Sequence, residues 1–212
     1  VRGAAWWSLL VAGALGGLVA CRDAVAPAVP FVAVEGDGQR GEVGLELAAP
    51  LVARVVDGRS RPVAGVRVVW VVDSGGGVID PPVVATDGAG RAVARGTLGP
   101  RAGRQVARAV AEGYGSVRFS AEALPGPVVS VTLAPESVRA YVEDTVALRL
   151  SLQDRYGNPV VDVPVAWASA DTAVVVVGPE GRLVAVGVGR TRVTASVAGQ
   201  TRGATVVVVG WR

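Results

Sequence analysis

One short pattern of residues occurs twice in this chain, about 100 positions apart, a spacing close to the usual length of one domain. Its members are an aspartate, a proline, three valines and a tryptophan. They are Asp57, Pro62, Val63, Val66, Val68 and Trp70 in the first copy, and Asp154, Pro159, Val160, Val163, Val165 and Trp167 in the second. Because every member keeps its offset, the repeat predicts two similar units in tandem.

The apolar residues of the chain indicate strands. Half of the 212 residues are apolar, mostly valine and alanine, and valine is stiff at χ1 and suits a pleated sheet. Apolar side chains alternate with others in several runs, and turn-forming residues separate the runs. The predicted inward residues are Leu51, Ala53 and Val55; Val66, Val68 and Trp70; Val146, Leu148, Leu150 and Leu152; and Val193, Ala195 and Val197. This pattern predicts an all-β protein of antiparallel sandwiches.

Two segments fit this pattern less simply. The stretch from Arg104 to Glu112 suits a helix face as well as a strand, but Gly103 and Gly113 bracket it closely and favour a strand. Pro164 interrupts the apolar run that leads to Trp167. Because proline cannot donate a ladder hydrogen bond, it predicts an edge strand or a position facing away from the ladder.

The start of the chain has the features of an export signal. Arg2 supplies a short positive region, an apolar stretch from Ala4 to Val19 follows it, and the only cysteine of the protein, Cys21, lies at the end of that stretch. The stretch is glycine-rich and shorter than the ~20 residues that a transmembrane helix needs. The leading Val1 indicates a GTG start codon and an otherwise complete chain.

The sequence Leu18-Val19-Ala20-Cys21 resembles the lipobox of bacterial lipoproteins. The resemblance implies cleavage between Ala20 and Cys21, and a diacylglycerol on the Cys21 thiol that anchors the protein to a membrane. The alternative is an ordinary signal peptide in which the cysteine is incidental. Arg22 stands where an aspartate would imply retention at the inner membrane, so we expect the outer membrane or the cell surface.

Composition shifts predict the division of the chain. We expect a lipoprotein signal peptide at 1–20, a tether at 21–30, a first domain at 31–123, a hinge at 124–127, a second domain at 128–209 and a tail at 210–212. The tether is rich in alanine and proline, which favour an extended chain. The hinge contains Pro125-Gly126-Pro127, and we expect it to allow limited flexing.

The two units resemble two groups of bacterial immunoglobulin-like domains. The first is similar to the invasin/intimin type, called group 1, and the second to group 2. The first resemblance is carried by Gly36-Asp37-Gly38-Gln39, Pro62-Val63-Ala64-Gly65-Val66, Gly75-Gly76-Gly77, Thr86-Asp87, Gly90-Arg91-Ala92 and Thr97-Leu98-Gly99. The second is carried by Asp154, Gly157-Asn158-Pro159-Val160, Val165-Ala166-Trp167-Ala168-Ser169, Gly181-Arg182-Leu183-Val184-Ala185-Val186, Gly189 and Val193-Thr194-Ala195. The resemblance implies tandem Greek-key sandwiches, as in bacterial surface proteins, adhesins and periplasmic lipoproteins.

The residue types argue against an enzyme. The chain has no histidine and no lysine, and its one cysteine is assigned to the lipid, which excludes the commonest general base, the serine and cysteine triads and histidine–cysteine zinc sites. A pair of carboxylates remains formally available for glycoside hydrolysis, but small sandwiches offer little room for a cleft. We expect no cofactor. The arginines are scattered rather than clustered, so nucleic acid is not an expected partner.

The repeated side chains have structural interpretations. Trp70 and Trp167 share the inward register of their valines, so we interpret them as core residues rather than as ligand platforms. Asp57 and Asp154 precede turns, where aspartate caps backbone N–H groups. A calcium site that includes Asp73, Asp80 or Asp87 is an alternative, although no loop has EF-hand spacing.

These observations predict an envelope protein that acts by contact rather than by catalysis. One hypothesis is adhesion or recognition of a protein or glycan through loops or a sheet edge. A second is a structural spacer without a specific ligand, and a third is a periplasmic or cell-wall component. An exposed apolar patch at one end would favour binding, and a uniformly polar surface would favour the spacer.

Overall fold

The computed structural model describes residues 31–211, and it is all-β over that range apart from one short 3₁₀ turn at Pro179–Gly181. The proposed cleavage and lipidation residues, Ala20 and Cys21, and the tether lie outside the described residues. Within 31–211 no helix has the length and apolar character needed to cross a membrane.

The first unit is built from two sheets. One has the strand order β1-β3-β7-β5 and the other β2-β9-β8-β4-β6. The strands are β1 Phe31–Glu35, β2 Gln39–Glu42, β3 Leu51–Val55, β4 Arg67–Ser74, β5 Val78–Asp80, β6 Val83–Ala85, β7 Arg91–Thr97, β8 Gly103–Ala111 and β9 Gly115–Leu124. The ambiguous stretch from Arg104 to Glu112 is therefore a strand, as its flanking glycines predict.

The second unit has three sheets, with the orders β10-β13, β11-β18-β17-β14 and β12-β16-β15. Its strands are β10 Ser130–Ala134, β11 Ser137–Tyr141, β12 Thr145–Ala147, β13 Arg149–Gln153, β14 Ala166–Ser169, β15 Val175–Val177, β16 Arg182–Ala185, β17 Gly189–Val197 and β18 Gln200–Val209. Pro164 lies two residues before β14, and β14 is an edge strand, which agrees with the prediction from the proline.

Each unit has its own apolar core. The first contains Phe31, Leu51, Ala53, Val55, Val68 and Trp70 with alanines of β7 and β8. The second contains Leu148, Leu183 and the inward residues of β17, which are Val193, Ala195 and Val197 at 0%, 0% and 3% exposure. The alternation of apolar residues in the sequence correctly predicts these inward faces, because successive strand residues point to opposite sides of a sheet.

The alternating run from Val146 to Gln153 does not form one uniform strand. Its first part, β12, pairs with β16, and its second part, β13, pairs with β10. The change of partner occurs at Leu148, which is buried and whose backbone N–H donates to the Gly181 carbonyl over 2.9 Å. Val146 and Leu150, also predicted to face inward, are only half-buried. The alternation of apolar residues does not indicate this change of pairing partner, because both parts of the run keep the same side towards the core.

Candidate functional site

The two repeated tryptophans lie opposite an alanine of the neighbouring strand in both units. Trp70 on β4 pairs with Ala109, and Trp167 on β14 pairs with Ala195. Trp70 is 5% exposed and its ring lies 5.3 Å from that of Phe119, while its indole N–H has no hydrogen-bond partner in the described part of the chain. This burial leaves no face of Trp70 available to a ligand.

Trp167 lies in a more open position than Trp70. It is half-buried and packs against Gly181, where an added Cβ would come within 2.6 Å of the ring. The reason is the sheet order: β4 is covered on its far side by β6, whereas β14 is the last strand of its sheet. The ring still packs against the core of its unit.

Asp57 and Asp154 each close a turn of the same design. In the first copy, the Asp57 Oδ1 atom accepts hydrogen bonds from the N–H groups of Arg59 and Arg61, at 2.8 and 3.0 Å. In the second copy, the Asp154 Oδ1 atom accepts from the N–H groups of Tyr156 and Asn158, at 2.8 and 2.9 Å. Both aspartates therefore cap backbone donors two and four residues ahead.

The surroundings of the two carboxylates differ. Asp57 is partly exposed and forms an ion pair with Arg61 at 2.7 Å, and the Arg61 N–H and side chain lower its pKa. Asp154 is 3% exposed. Burial raises the pKa of Asp154, but hydrogen bonds from the Asn158 side chain and from the N–H groups of Gly126, Asn158 and Tyr156 outweigh it, and the pKa is about 2. Asp154 is therefore a buried carboxylate held in its charged form.

The acidic residues considered for calcium do not converge. Between residues 31 and 211, no three acidic side chains lie close enough together to hold a metal ion. Asp73 instead pairs with Arg108 at 2.9 Å and Asp87 pairs with Arg91 at 3.3 Å. Arginine thus takes the place that a cation would occupy at these carboxylates.

The first unit has two concave regions that differ in depth and lining. A cavity of about 40 Å³ between the two sheets is lined by Leu51, Val72, Ile79 and Phe119, and it is far smaller than the roughly 300–1,000 Å³ of ligand pockets. A shallow groove of about 340 Å³ on the outer sheet face is lined by Arg104, Arg118 and Ser120. Asp37 accepts the Ser120 N–H there over 2.7 Å, so this backbone donor is already paired.

One end of the second unit exposes a group of large apolar side chains, which we call the apolar end. It consists of Tyr141, Val186, Val188 and Trp211, at 39%, 43%, 65% and 69% exposure. Strand register places them together. Tyr141 is opposite Val209, two residues before Trp211, and Gly189, which follows Val188, is opposite Val208. The nearby Ala185, next to Val186, bonds to the turn after Tyr141.

The apolar end lies away from the junction between the units. Gly126 meets the Asp154 turn at the junction, and β18 begins near it, where the Gln200 side chain donates to the Val129 carbonyl. The strand β11 is parallel to β18, and both end at the apolar end. Sequence reasoning treated Trp211 as part of a tail and did not assign it a role. One sequence signal could have indicated the apolar end. Val184, Val186 and Val188 alternate with other residues and face outward, and the last two lie beyond the end of β16.

Comparisons with known proteins identify the fold. No protein-family model matches the chain, and no curated protein matches it. InvD of Yersinia pseudotuberculosis is 15% identical over 85% of this chain and 57% of its own, with a TM-score of 0.53. FdeC, an Escherichia coli adhesin, is 18% identical over 89% and 66%, with a TM-score of 0.49. Invasin, a bacterial integrin-binding protein, is 23% identical over 85% and 39%, with a TM-score of 0.39.

These comparisons show an immunoglobulin-like β-sandwich fold. At such identities the likeness extends to the fold alone. The chain spans less than two thirds of the length of each of these three solved chains.

Proposed function

We propose that this chain is a lipid-anchored envelope protein whose immunoglobulin-like domains act in adhesion or recognition, with the apolar end as the contact surface. The observation that carries the proposal is the exposure of Trp211 and Val188, at 69% and 65%, in segments that strand register places next to that of Tyr141. Water-exposed aromatic and aliphatic side chains gathered in one place are typical of protein interaction sites. A protein or glycan partner would cover them, and neither a cofactor nor nucleic acid is involved.

The arrangement of the chain suits display of that surface. The tether at 21–30 and the lipid on Cys21 would hold the N-terminal side at a membrane, while the apolar end lies at the opposite end of the second unit. The outer membrane or the cell surface is the proposed location. The group 1 and group 2 resemblances of the two units support such a role, since domains of these groups occur in bacterial surface proteins.

The alternative function is a structural spacer in the periplasm or cell wall without a specific ligand. The observation that favours it is the set of hydrogen bonds between the two units, including those from Asn158 to Pro100 and Ala102. A spacer needs a fixed length and no exposed apolar surface. The apolar end therefore distinguishes the two functions.

The contact surface is tested with two variants of the apolar end and one control variant. Purified wild-type protein and the variants Val188→Ser, Trp211→Ser and Val161→Ser are applied to arrays of immobilised proteins and of glycans. Val161 is the matched control because it is equally exposed, at 70%, and is not part of the apolar end. Recognition predicts a bound array element that is lost with Val188→Ser and Trp211→Ser and kept with Val161→Ser. Equal binding by all four proteins would contradict the proposed surface.

The anchor and the location need separate tests. Replacing Cys21 with serine removes the thiol that would carry the lipid, so membrane fractionation is expected to release the protein; unchanged membrane association would reject the anchor. Antibody labelling of a tagged copy on intact and on permeabilised cells locates the domains. Labelling of intact cells supports adhesion, and labelling only after permeabilisation supports the periplasmic alternative.

A further inference from the structure

We propose that the Asp154 turn, residues 154–158, is a latch that fixes the second unit on the first, so that the two sandwiches form one stiff body. The hinge at 124–127 was expected to flex. The contacts around it indicate instead that its freedom is removed by side chains of the following unit. This inference concerns the junction alone and does not depend on the proposed contact surface.

The chain contains its own internal controls for this turn. Turns at Asp57, Asp87 and Asp154 share the same local bonds: the aspartate N–H donates to the carbonyl four residues ahead, and its own carbonyl accepts from the N–H three residues ahead. In all three, the Oδ1 atom accepts from the N–H groups two and four residues ahead. These hydrogen bonds therefore stabilise each turn by themselves, without any contact to another unit.

The Asp154 turn differs from the other two turns in its fifth residue. At the Asp57 and Asp87 turns this residue is an arginine, whose guanidinium pairs with the aspartate of its own turn. At the Asp154 turn it is Asn158, which has both a donor and an acceptor. Its Nδ2 atom donates to the Pro100 carbonyl over 2.8 Å, and its Oδ1 atom accepts from the Ala102 N–H over 2.9 Å.

This pair of bonds holds the Asn158 side chain against a turn of the first unit. Pro100 and Ala102 belong to the connection between β7 and β8. The planar Asn158 carboxamide donates one of these hydrogen bonds and accepts the other. Together they fix its orientation as well as its distance from the first unit, in the way that bidentate contacts do. An arginine in the same place could not accept the Ala102 N–H.

The second carboxylate oxygen of Asp154 binds the hinge at 124–127, which is the linker between the two units. The Asp154 Oδ2 atom accepts the Gly126 N–H over 2.9 Å and the Asn158 Nδ2 atom over 2.9 Å. Gly126 lies between the two units, since an added Cβ would be 3.0 Å from the Glu42 carboxylate and 3.7 Å from the Asp154 Cβ. One buried carboxylate therefore joins the linker, the turn and the asparagine that contacts the first unit.

A third contact lies on a different segment of the first unit. Tyr156 packs on Gly44 so closely that any side chain at Gly44 would collide with the tyrosine hydroxyl, and the Arg155 guanidinium lies 4.6 Å from the centre of the Tyr156 ring. Gly44 belongs to the connection between β2 and β3. Contacts to two separate connections and to the linker restrain bending and rotation together, because a single contact would leave an axis of rotation free.

Distances between two spin labels test the latch. Ser116→Cys in the first unit and Thr172→Cys in the second, both exposed, are labelled in the full chain with Cys21→Ser, which removes the only native thiol. Double electron–electron resonance then gives the distribution of the inter-label distance. The variants are Asn158→Ala, the isosteric Asn158→Asp, and Arg61→Ala as the matched control at the equivalent position of the first turn.

The latch predicts one narrow distribution for the unmodified turn and for Arg61→Ala. Both Asn158 variants are expected to give a distribution about twofold broader, at an unchanged content of strand by circular dichroism. A broad distribution in the unmodified protein would overturn the proposal whatever the variants do. An equally narrow distribution in the Asn158 variants, or the same broadening with Arg61→Ala, would also overturn it.

Discussion

The two copies of the sequence repeat form the same turn and use it differently. Around Asp57 the turn is open to water, and its carboxylate is neutralised by Arg61, whose side chain is 68% exposed. Around Asp154 the turn is covered by the first unit, and the carboxylate is 3% exposed with four hydrogen bonds. The shared offsets of the repeat therefore fix the local geometry of the turn, while the residue at the end of the turn decides what the turn contacts.

The tryptophans of the repeat show the same contrast inside the cores. Trp70 and Trp167 occupy equivalent registers, but only β4 is flanked by strands on both sides. A strand on the far side keeps water from Trp70, and its absence beside β14 leaves Trp167 half-buried. Equivalent residues thus differ in burial because a third element is present in one unit.

The largest expected effect comes from the tryptophan pair. Trp70→Ala removes a buried ring that packs on Phe119, and we expect it to lower the free energy of unfolding of its unit by about 3–5 kcal/mol. Trp167→Ala is expected to cost clearly less, since part of its ring is already in water. Urea titration followed by circular dichroism measures both. Equal costs would show that burial is not what separates the two copies.

The second comparison is between the two aspartates. Asp154→Ala leaves the buried Gly126 N–H and the half-buried N–H groups of Tyr156 and Asn158 without their acceptor, which costs about 1–3 kcal/mol. Asp57→Ala is expected to lower the melting temperature much less, because water reaches the freed N–H groups. Calorimetry of both variants gives the difference, and a larger loss for Asp57→Ala would reverse the assignment of the two turns.

Sequence reasoning could predict the parts of this fold that depend on local periodicity. The inward valines of β17, the strand at 104–112 and the aspartate turns follow from side-chain alternation and turn chemistry. The partner change at Leu148 and the contact of Asn158 with Pro100 do not, because both depend on which segments meet in space. The apolar end was missed for the same reason: Tyr141, Val188 and Trp211 are far apart in sequence, and only strand register brings them together.

The buried Asp154 carboxylate makes the stability of the fold depend on pH. The pKa of Asp154 is about 2 in the folded protein against an ordinary value of 3.8. A lowered pKa means that the charged form stabilises the fold above pH 4, and that this stabilisation, on the order of 2 kcal/mol, is lost as the pH falls towards 2. Hydrogen bonds from backbone N–H groups also lower the pKa of Asp37, Asp57 and Asp87.

Those three aspartates contribute to the same pH range, so the contribution of Asp154 is isolated by difference. Melting temperatures of the wild type and of Asp154→Ala are measured from pH 6 to pH 2. We expect the two curves to converge as the pH falls, because protonation removes from the wild type what the substitution has already removed. Parallel curves over the whole range would contradict the lowered pKa.

The smallest effect is expected when the first turn is given the asparagine of the second. Arg61→Asn removes an ion pair between exposed groups, and such pairs add little to stability because water and salt screen them. An asparagine there has no neighbouring unit to contact among residues 31–211, while the two N–H bonds to the Asp57 Oδ1 atom remain. The melting temperature is therefore expected to stay within error of the wild type, in both low and high salt. A clear loss of melting temperature with Arg61→Asn would mean that the fifth residue stabilises its own turn rather than a junction, and the distinction between the two copies would fail.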